Sequence, residues 1–230
     1  MTTTDVLQKA RQDGRTLLNE VESKDLIRES GIPVVETRLA RSKAEAARIA
    51  QEVGFPVVLK IVSPDVTHKS DVGGVKVGLN SLGQVRSAYD SIISSTKAAV
   101  SSAAILGVSV QKMADPGVEV IIGATKDPQF GHVVMFGLGG VLVELLRDVS
   151  MRLVPLAPRD AREMIREIKS LPMLQGFRQY PACDLDSLEA AILNLSKFLE
   201  KHPQVKELDL NPVLCYPKGL LAVDARIVLE

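Results

Sequence analysis

Along this chain, apolar residues at helical spacing alternate with short runs of strand-like character, the pattern of a mixed α/β architecture rather than a bundle or a sandwich. Leu17, Leu18, Val21, Leu26 and Ile27 mark a first amphipathic helix, and Gly31 suits its C-terminal stop. A strand is expected over 33–39. Ser42 and Glu45 have the spacing of a capping box, which places a second helix from there to about residue 52. Residues 56–62 read as a strand, Val75–Leu79 as its hairpin partner across a long polar loop, and 84–97 as a helix. Three apolar runs follow closely, over 107–113, 118–125 and 132–136, and read as neighbouring strands. A glycine turn and a short helix over 141–147 come next, then a strand over 150–156, helices near 159–169 and 184–199, and a closing hairpin of 205–214 with 220–228. The elements up to residue 106 are read as a smaller N-terminal lobe and residues 107–230 as a C-terminal lobe.

Charge and composition narrow the function classes. Lysine and arginine number 28 and so do aspartate and glutamate, with no basic block, no tryptophan and 3% aromatics, which argues against a nucleic-acid partner. The longest nearly uncharged run, 132–143, is about half of what crosses a bilayer and contains glycines, so no membrane partner is expected. Met-Thr-Thr-Thr-Asp is not a signal peptide. Cys183 and Cys215 lack CxxC spacing and read as reduced thiols, consistent with a cytoplasmic protein.

In Val57-Val58-Leu59-Lys60-Ile61-Val62 a single lysine interrupts a run apolar enough to be buried on both faces of a sheet. A buried ammonium needs an anion, and a phosphate would serve; a lysine snorkelling from an edge strand has the same sequence. The loop that follows gathers hydroxyls, His68 and Lys69 ahead of Gly73 and Gly74. Glycines let backbone amides approach an oxyanion, although an ordinary polar hairpin loop shares this composition. It does not match the P-loop spacing. His68 is suited to accept a phosphoryl group or to donate a hydrogen bond, although an ordinary surface histidine has the same pattern, while His132 and His202 read as structural. Phe136-Gly-Leu-Gly139-Gly140 is a glycine turn after a strand, suited either to an anion or to tight packing.

The closing hairpin turns at Pro217-Lys218-Gly219, so folding there brings Asn211 close to opposite Asp224, with Asp209 on the same face as Asn211. A carboxylate and an amide oxygen at that separation suit a hard cation such as Mg²⁺. A bulge at Gly219 would shift the register by one and spoil the pairing.

Together these residues resemble a known family. Gly54-Phe-Pro-Val-Val-Leu-Lys60-Ile-Val-Ser-Pro-Asp-Val-Thr-His68-Lys-Ser-Asp-Val-Gly-Gly74 is similar to the signature stretch of the β subunit of ADP-forming acetate–CoA ligases. Gly117-Val-Glu-Val-Ile-Ile-Gly123, Asp127-Pro-Gln-Phe-Gly131, Phe136-Gly-Leu-Gly-Gly140 and Glu207-Leu-Asp-Leu-Asn-Pro212 resemble its later motifs, and the similarity leaves out only about fifteen N-terminal residues. The resemblance implies an ATP-grasp fold, two α/β lobes holding ATP or ADP between them. It implies that Lys60 contacts the nucleotide phosphates, that Gln111, Lys112 and Met113 form a hinge facing adenine with Glu119 nearby, and that the loop bearing Lys69, Gly73 and Gly74 closes over the phosphates, with Gly139 and Gly140 at the glycine turn. Asn211 and Asp224 match Mg²⁺ ligands of related succinyl-CoA synthetase β subunits, with Asp209 beside them. His68 takes the position of a transient phosphoryl acceptor between a phosphohistidine of a CoA-binding α subunit and ADP. Because the chain carries only the grasp part, the resemblance implies a separate α subunit in an α₂β₂ assembly.

Three other readings fit parts of the same pattern. A β subunit acting with succinate, propionate or an aryl acid differs only through its partner. A nucleotide-sensing module would keep Lys60 and the metal ligands without needing His68. A carboxylate–amine ligase would need a substrate pocket of its own, for which the sequence offers no candidate.

Overall fold

The structure, a computed structural model, describes residues 3–66, 68–140 and 148–230. The chain divides into two compact units, one of Met1–Leu18, Glu22–Val34 and Asp115–Glu230, the other of Asn19–Val21 and Val35–Ala114.

The second unit is built on a four-stranded antiparallel sheet in the order β1-β4-β2-β3, with β1 Thr37–Ala40, β2 Val57–Val62, β3 Val75–Leu79 and β4 Gly107–Lys112. Helices α3 (Lys43–Val53) and α4 (Leu82–Ala99) pack against each other and on this sheet. Ser42 caps α3 by accepting the Glu45 amide at 3.2 Å, and Ser81 caps α4 by accepting the Gln84 amide at 3.3 Å. Strand parity then sorts the sheet. Val57, Leu59 and Ile61 of β2 and Val108 and Val110 of β4 enter the core formed with Ala46, Ile49, Val85 and Ile92. The alternate residues, Lys60, Ser109 and Gln111, lie on the opposite face and are buried as well.

The first unit carries β5 (Val118–Asp127), β6 (Gly131–Leu138), β7 (Val149–Leu153), β8 (Val205–Cys215), β9 (Leu220–Ala222) and β10 (Arg226–Leu229) in one antiparallel sheet, order β10-β8-β5-β6-β7 with β9 also on β8. Its helices are α1 (Thr3–Gln12), most of α2 (Glu20–Glu29), α5 (Pro158–Glu167), the single turn α6 (Leu171–Leu174) and α7 (Leu185–Lys201). Val120, Ile122, Val134, Phe136, Leu208 and Leu210 of the sheet share one core with Leu26 and Ile27 of α2, Met164 and Ile165 of α5, and Leu188, Ile192 and Leu195 of α7. Asp184 caps α7, accepting from Ser187 N at 3.0 Å and Ser187 Oγ at 2.8 Å, and its second oxygen also takes the Gly219 amide at 2.9 Å. That carboxylate joins the helix start to the turn of the closing hairpin.

Three expectations need correction. The run at 107–112 is not a neighbour of the next two; it lies between β1 and β2, while β5 and β6 pair with each other. Its buried polar face, Ser109 and Gln111, meets Lys60 of β2 and Thr37 of β1 in register, a match that closeness in sequence does not reveal. The boundary expected between 106 and 107 therefore moves to 114/115, and residues before 19 and from 22 to 34 join the C-terminal residues. The expected strand over 33–39 is regular only over Thr37–Ala40, with Val34 in an isolated parallel bridge to Ala222. Helix α1 had no counterpart in the sequence reading, and the helix expected over 141–147 lies outside the described residues.

Candidate active site

In the second unit, Lys60 sits on an interior strand, 6% exposed, so the edge-strand alternative is set aside. The anion that a buried ammonium requires is Glu20, from the first turn of α2: Lys60 Nζ donates to Glu20 Oε1 at 2.8 Å. Lys69 Nζ donates to the other oxygen, Oε2, also at 2.8 Å, and Ser109 Oγ donates to Oε2 at 3.3 Å. The sequence reading did not single out Glu20. Its signal was a carboxylate at the head of the stripe Glu20, Lys24, Ile27, whose three residues are all buried.

Lys69 reaches this cluster because its loop is folded back on β2. The Gly74 amide donates to the Lys69 carbonyl at 2.8 Å, the Ile61 amide donates to the Gly74 carbonyl at 2.7 Å, and the Gly73 amide donates to the Ser70 carbonyl at 3.0 Å. Gly73 has φ of 65°. His68, next to Lys69, is exposed, and Thr67 lies outside the described residues.

The expected hinge divides at the end of β4. Gln111 is buried and accepts from Thr37 Oγ1 at 3.2 Å, whereas Lys112 and Met113 are exposed; Lys112 Nζ donates to the Phe55 carbonyl, and the Met113 amide donates to the Pro56 carbonyl at 2.9 Å.

In the first unit the structure brings Glu119, Gly139 and Gly140 together. The Gly139 amide donates to the Glu119 carbonyl at 2.7 Å, and a Cβ at Gly139 would lie 3.1 Å from Glu119 Cβ. At Gly140, with φ of 70°, a Cβ would lie 3.3 Å from Glu119 Oε2.

The closing hairpin keeps the expected register. Cys215 pairs with Leu220, Leu214 with Leu221 and Val213 with Ala222, and the same offset resumes at Asp209 with Arg226. Between these stretches the Val223 amide donates to the Pro212 carbonyl at 2.9 Å, and Gly219 introduces no shift. Against β5 the register slips by one between Val120 and Ile122, so Asn211 and Pro212 share the space opposite Ile121. Such bulges re-aim a side chain, and Asn211 is exposed. Asp209 lies over Gly123 of β5, whose Cβ would stand 3.8 Å from its Oδ1. Burial pushes the Asp209 carboxyl above its ordinary value, and the charge of Asp224 adds to this while Arg226 opposes it. Asp224 Oδ1 accepts from the Ala225 amide at 2.9 Å. Two carboxylates and an amide oxygen are hard donors of the kind Mg²⁺ takes; among the described residues no group of three His, Cys, Asp or Glu side chains is placed to hold a metal ion.

The ATP-grasp domain family matches residues 9–229. The chain is 42% identical over 225 residues to acetate–CoA ligase [ADP-forming] I subunit beta of Pyrococcus furiosus, covering 98% of this chain and 97% of that one. Among solved structures it is similar to the dinucleotide-forming acetyl-coenzyme A synthetase 1 of Ca. Korarchaeum cryptofilum in complex with coenzyme A and Ca-AMPCP, at 52% identity, a TM-score of 0.97 and full coverage of both chains. It is similar also to a complex of that enzyme with coenzyme A and Mg-AMPPCP, its phosphohistidine segment pointing towards the nucleotide binding site, at 48% identity, a TM-score of 0.88 and full coverage of both.

Proposed function

The chain belongs to the ATP-grasp domain family and within it to the β subunits of ADP-forming acetate–CoA ligases, and on that premise we propose how its residues divide the work of phosphoryl transfer. It is the nucleotide-binding half of an ADP-forming acyl-CoA synthetase: acyl-CoA, ADP and phosphate give carboxylic acid, ATP and CoA. The acyl and CoA chemistry belongs to a partner α subunit, with which it forms an α₂β₂ assembly, and that partner selects the acid, acetate in the first instance.

The observation that carries this reading is the convergence of two ammonium groups, one from a buried strand and one from the loop that bears His68. Phosphoryl transfer asks little covalent chemistry of a protein and much positioning and charge neutralisation. Lys60 and Lys69 supply positive charge to the nucleotide phosphates. The folded loop with Gly73 and Gly74 presents backbone at close range, and the segment Gln111, Lys112, Met113 lines adenine. Glu119, Gly139 and Gly140, at the glycine turn, are assigned to nucleotide binding as well. Asp209, Asn211 and Asp224 would hold Mg²⁺, which supplies charge neutralisation at the phosphates.

His68 is assigned as the relay. Its imidazole nitrogen attacks the phosphorus held on the partner's phosphohistidine; one N–P bond forms as the other breaks and the partner imidazole leaves. A terminal oxygen of ADP then attacks the same phosphorus, the His68 N–P bond breaks, and ATP results with the imidazole restored. The exposure of His68 leaves it accessible to an incoming segment.

The test mixes the chain with its α subunit, acetyl-CoA, phosphate, Mg²⁺ and ADP and follows ATP. Formation that requires both subunits and is lost in His68→Ala supports the relay. Full activity in His68→Ala removes the relay while leaving the synthetase, and absence of ATP with every acyl-CoA tried would favour a nucleotide-sensing role.

A further inference from the structure

Glu20 has only 1% of its side chain exposed and stands in the first turn of α2, where the helix dipole and free amides favour an anion. Each of its oxygens takes a different lysine, Lys60 at Oε1 and Lys69 at Oε2. Those lysines have unrelated origins. Lys60 rises from the centre of a sheet, and Lys69 comes from the loop that Gly74 folds onto Ile61. One rigid carboxylate thereby sets both the spacing of the two ammonium groups and the place of the loop. Ser109, opposite Lys60 in the β2–β4 register, donates to the same carboxylate and holds its orientation.

The arrangement favours a working cluster over a fold-only ion pair, because burying an ion pair commonly adds no net stability. One carboxylate here draws together two ammonium groups from separate elements, a strand and a loop. Lys69 is also partly exposed, with 22% of its side chain open to solvent, so the cluster reaches water.

We propose that Glu20 is a positioning residue for phosphoryl transfer, holding the Lys60 and Lys69 ammonium groups as a matched pair for the nucleotide's phosphates and tethering the loop that bears His68. This inference rests on the nucleotide-binding reading of the preceding subsection. Without the carboxylate, the contact that sets the Lys60 and Lys69 ammonium groups side by side is lost. The loss should then follow the phosphates of the ligand and not its base.

Binding of ADP by calorimetry and of adenosine by ligand-observed NMR, each in Mg²⁺ with the full chain, tests this in wild type, Glu20→Gln and Glu20→Asp. The expected result is that Glu20→Gln weakens ADP by about tenfold or more, the loss of one charge-assisted hydrogen bond, and leaves adenosine unchanged. Glu20→Asp keeps the charge but draws it back by one methylene, and should recover part of the ADP affinity. Unchanged ADP binding in Glu20→Gln, or equal losses for ADP and adenosine, overturns the inference and leaves an ordinary structural ion pair. Should Glu20→Gln not fold, Glu20→Asp decides alone: ADP must weaken while adenosine does not. A wild-type chain that binds no ADP overturns the nucleotide reading and this inference with it, an outcome distinct from a failure confined to Glu20.

Discussion

Gly74 is packed so closely on Ile61 that a methyl group on its Cα would lie 2.5 Å from Ile61 Cγ2 and 2.8 Å from the Lys69 carbonyl oxygen. No rotamer change at Ile61 relieves the second contact, because it is to backbone. Gly74→Ala must therefore move the loop away from β2 and carry Lys69 off Glu20. ATP formation with the α subunit should fall by at least an order of magnitude, roughly the loss of one charge-assisted contact, with a lowered melting temperature. Gly83→Ala, in the first turn of α4 with nothing nearer than 3.9 Å, is the matched control and should leave activity intact.

The carboxyl of Asp209 is raised, by burial first and then by Asp224. A metal-binding carboxylate must be ionised, so the apparent affinity for Mg²⁺-ADP should fall as pH drops through that raised value, at a higher pH than an ordinary aspartate would give. The sign for stability is opposite to the usual aspartate. A raised native value makes protonation favour the folded state, so Asp209→Asn should stabilise the chain at neutral pH by a few degrees, roughly, in melting temperature, and lose that advantage on acidification. The same variant should lose Mg²⁺-dependent ADP binding. Melting curves and Mg²⁺ titrations from pH 4 to 8 check both.

Asp184 behaves in the opposite sense. Hydrogen bonds from the Gly219 amide, the Ser187 amide and the Ser187 hydroxyl hold its carboxyl below the ordinary value. Its contribution is present above the unfolded value and is lost as pH falls through the lowered one. Asp184→Asn should lower the melting temperature at pH 7 by a few degrees, roughly, through the weakened helix cap and hairpin tie. The difference from wild type should shrink on acidification, and a pH-independent difference would contradict it.

His132 and His68 should separate cleanly. His132 is buried, with Nε2 2.7 Å from the Val205 carbonyl oxygen, so His132→Ala leaves that carbonyl without its partner and opens space between β6 and the start of β8. A loss of about 1–3 kcal/mol of stability is expected, with ATP formation retained at low temperature. His68→Ala should show the reverse, an unchanged melting temperature and lost ATP formation.

Local pattern alone determined a good deal here. Helices α3, α4 and α7 were legible because capping residues and apolar stripes act within a few residues of one another. Strand β2 announced itself through a run apolar enough for both faces of a sheet, and Lys60 stood out because it interrupts that run. The closing hairpin was legible down to its register, since a tight turn at Pro217-Lys218-Gly219 leaves antiparallel pairing a single alignment, and Val213 pairs with Ala222 as that alignment requires. The family motifs carried the remaining site residues.

What only the tertiary structure decided are the relations between distant segments. Strand β4 pairs with β1 and β2 rather than with the strands that follow it, because a buried polar face must meet matching polar partners, and those lie tens of residues earlier. Helix α1 depends on tertiary packing, Val6, Leu7 and Ala10 joining a core whose other members come from the far end of the chain. Glu20 is the clearest case. Lys60 states in the sequence that an anion is needed, but nothing local says which; the answer lies forty residues away, on a helix whose periodicity reads as complete without it. Hydrophobic period and turn chemistry act between neighbours, whereas the pairing of buried charges is settled where the chain meets itself.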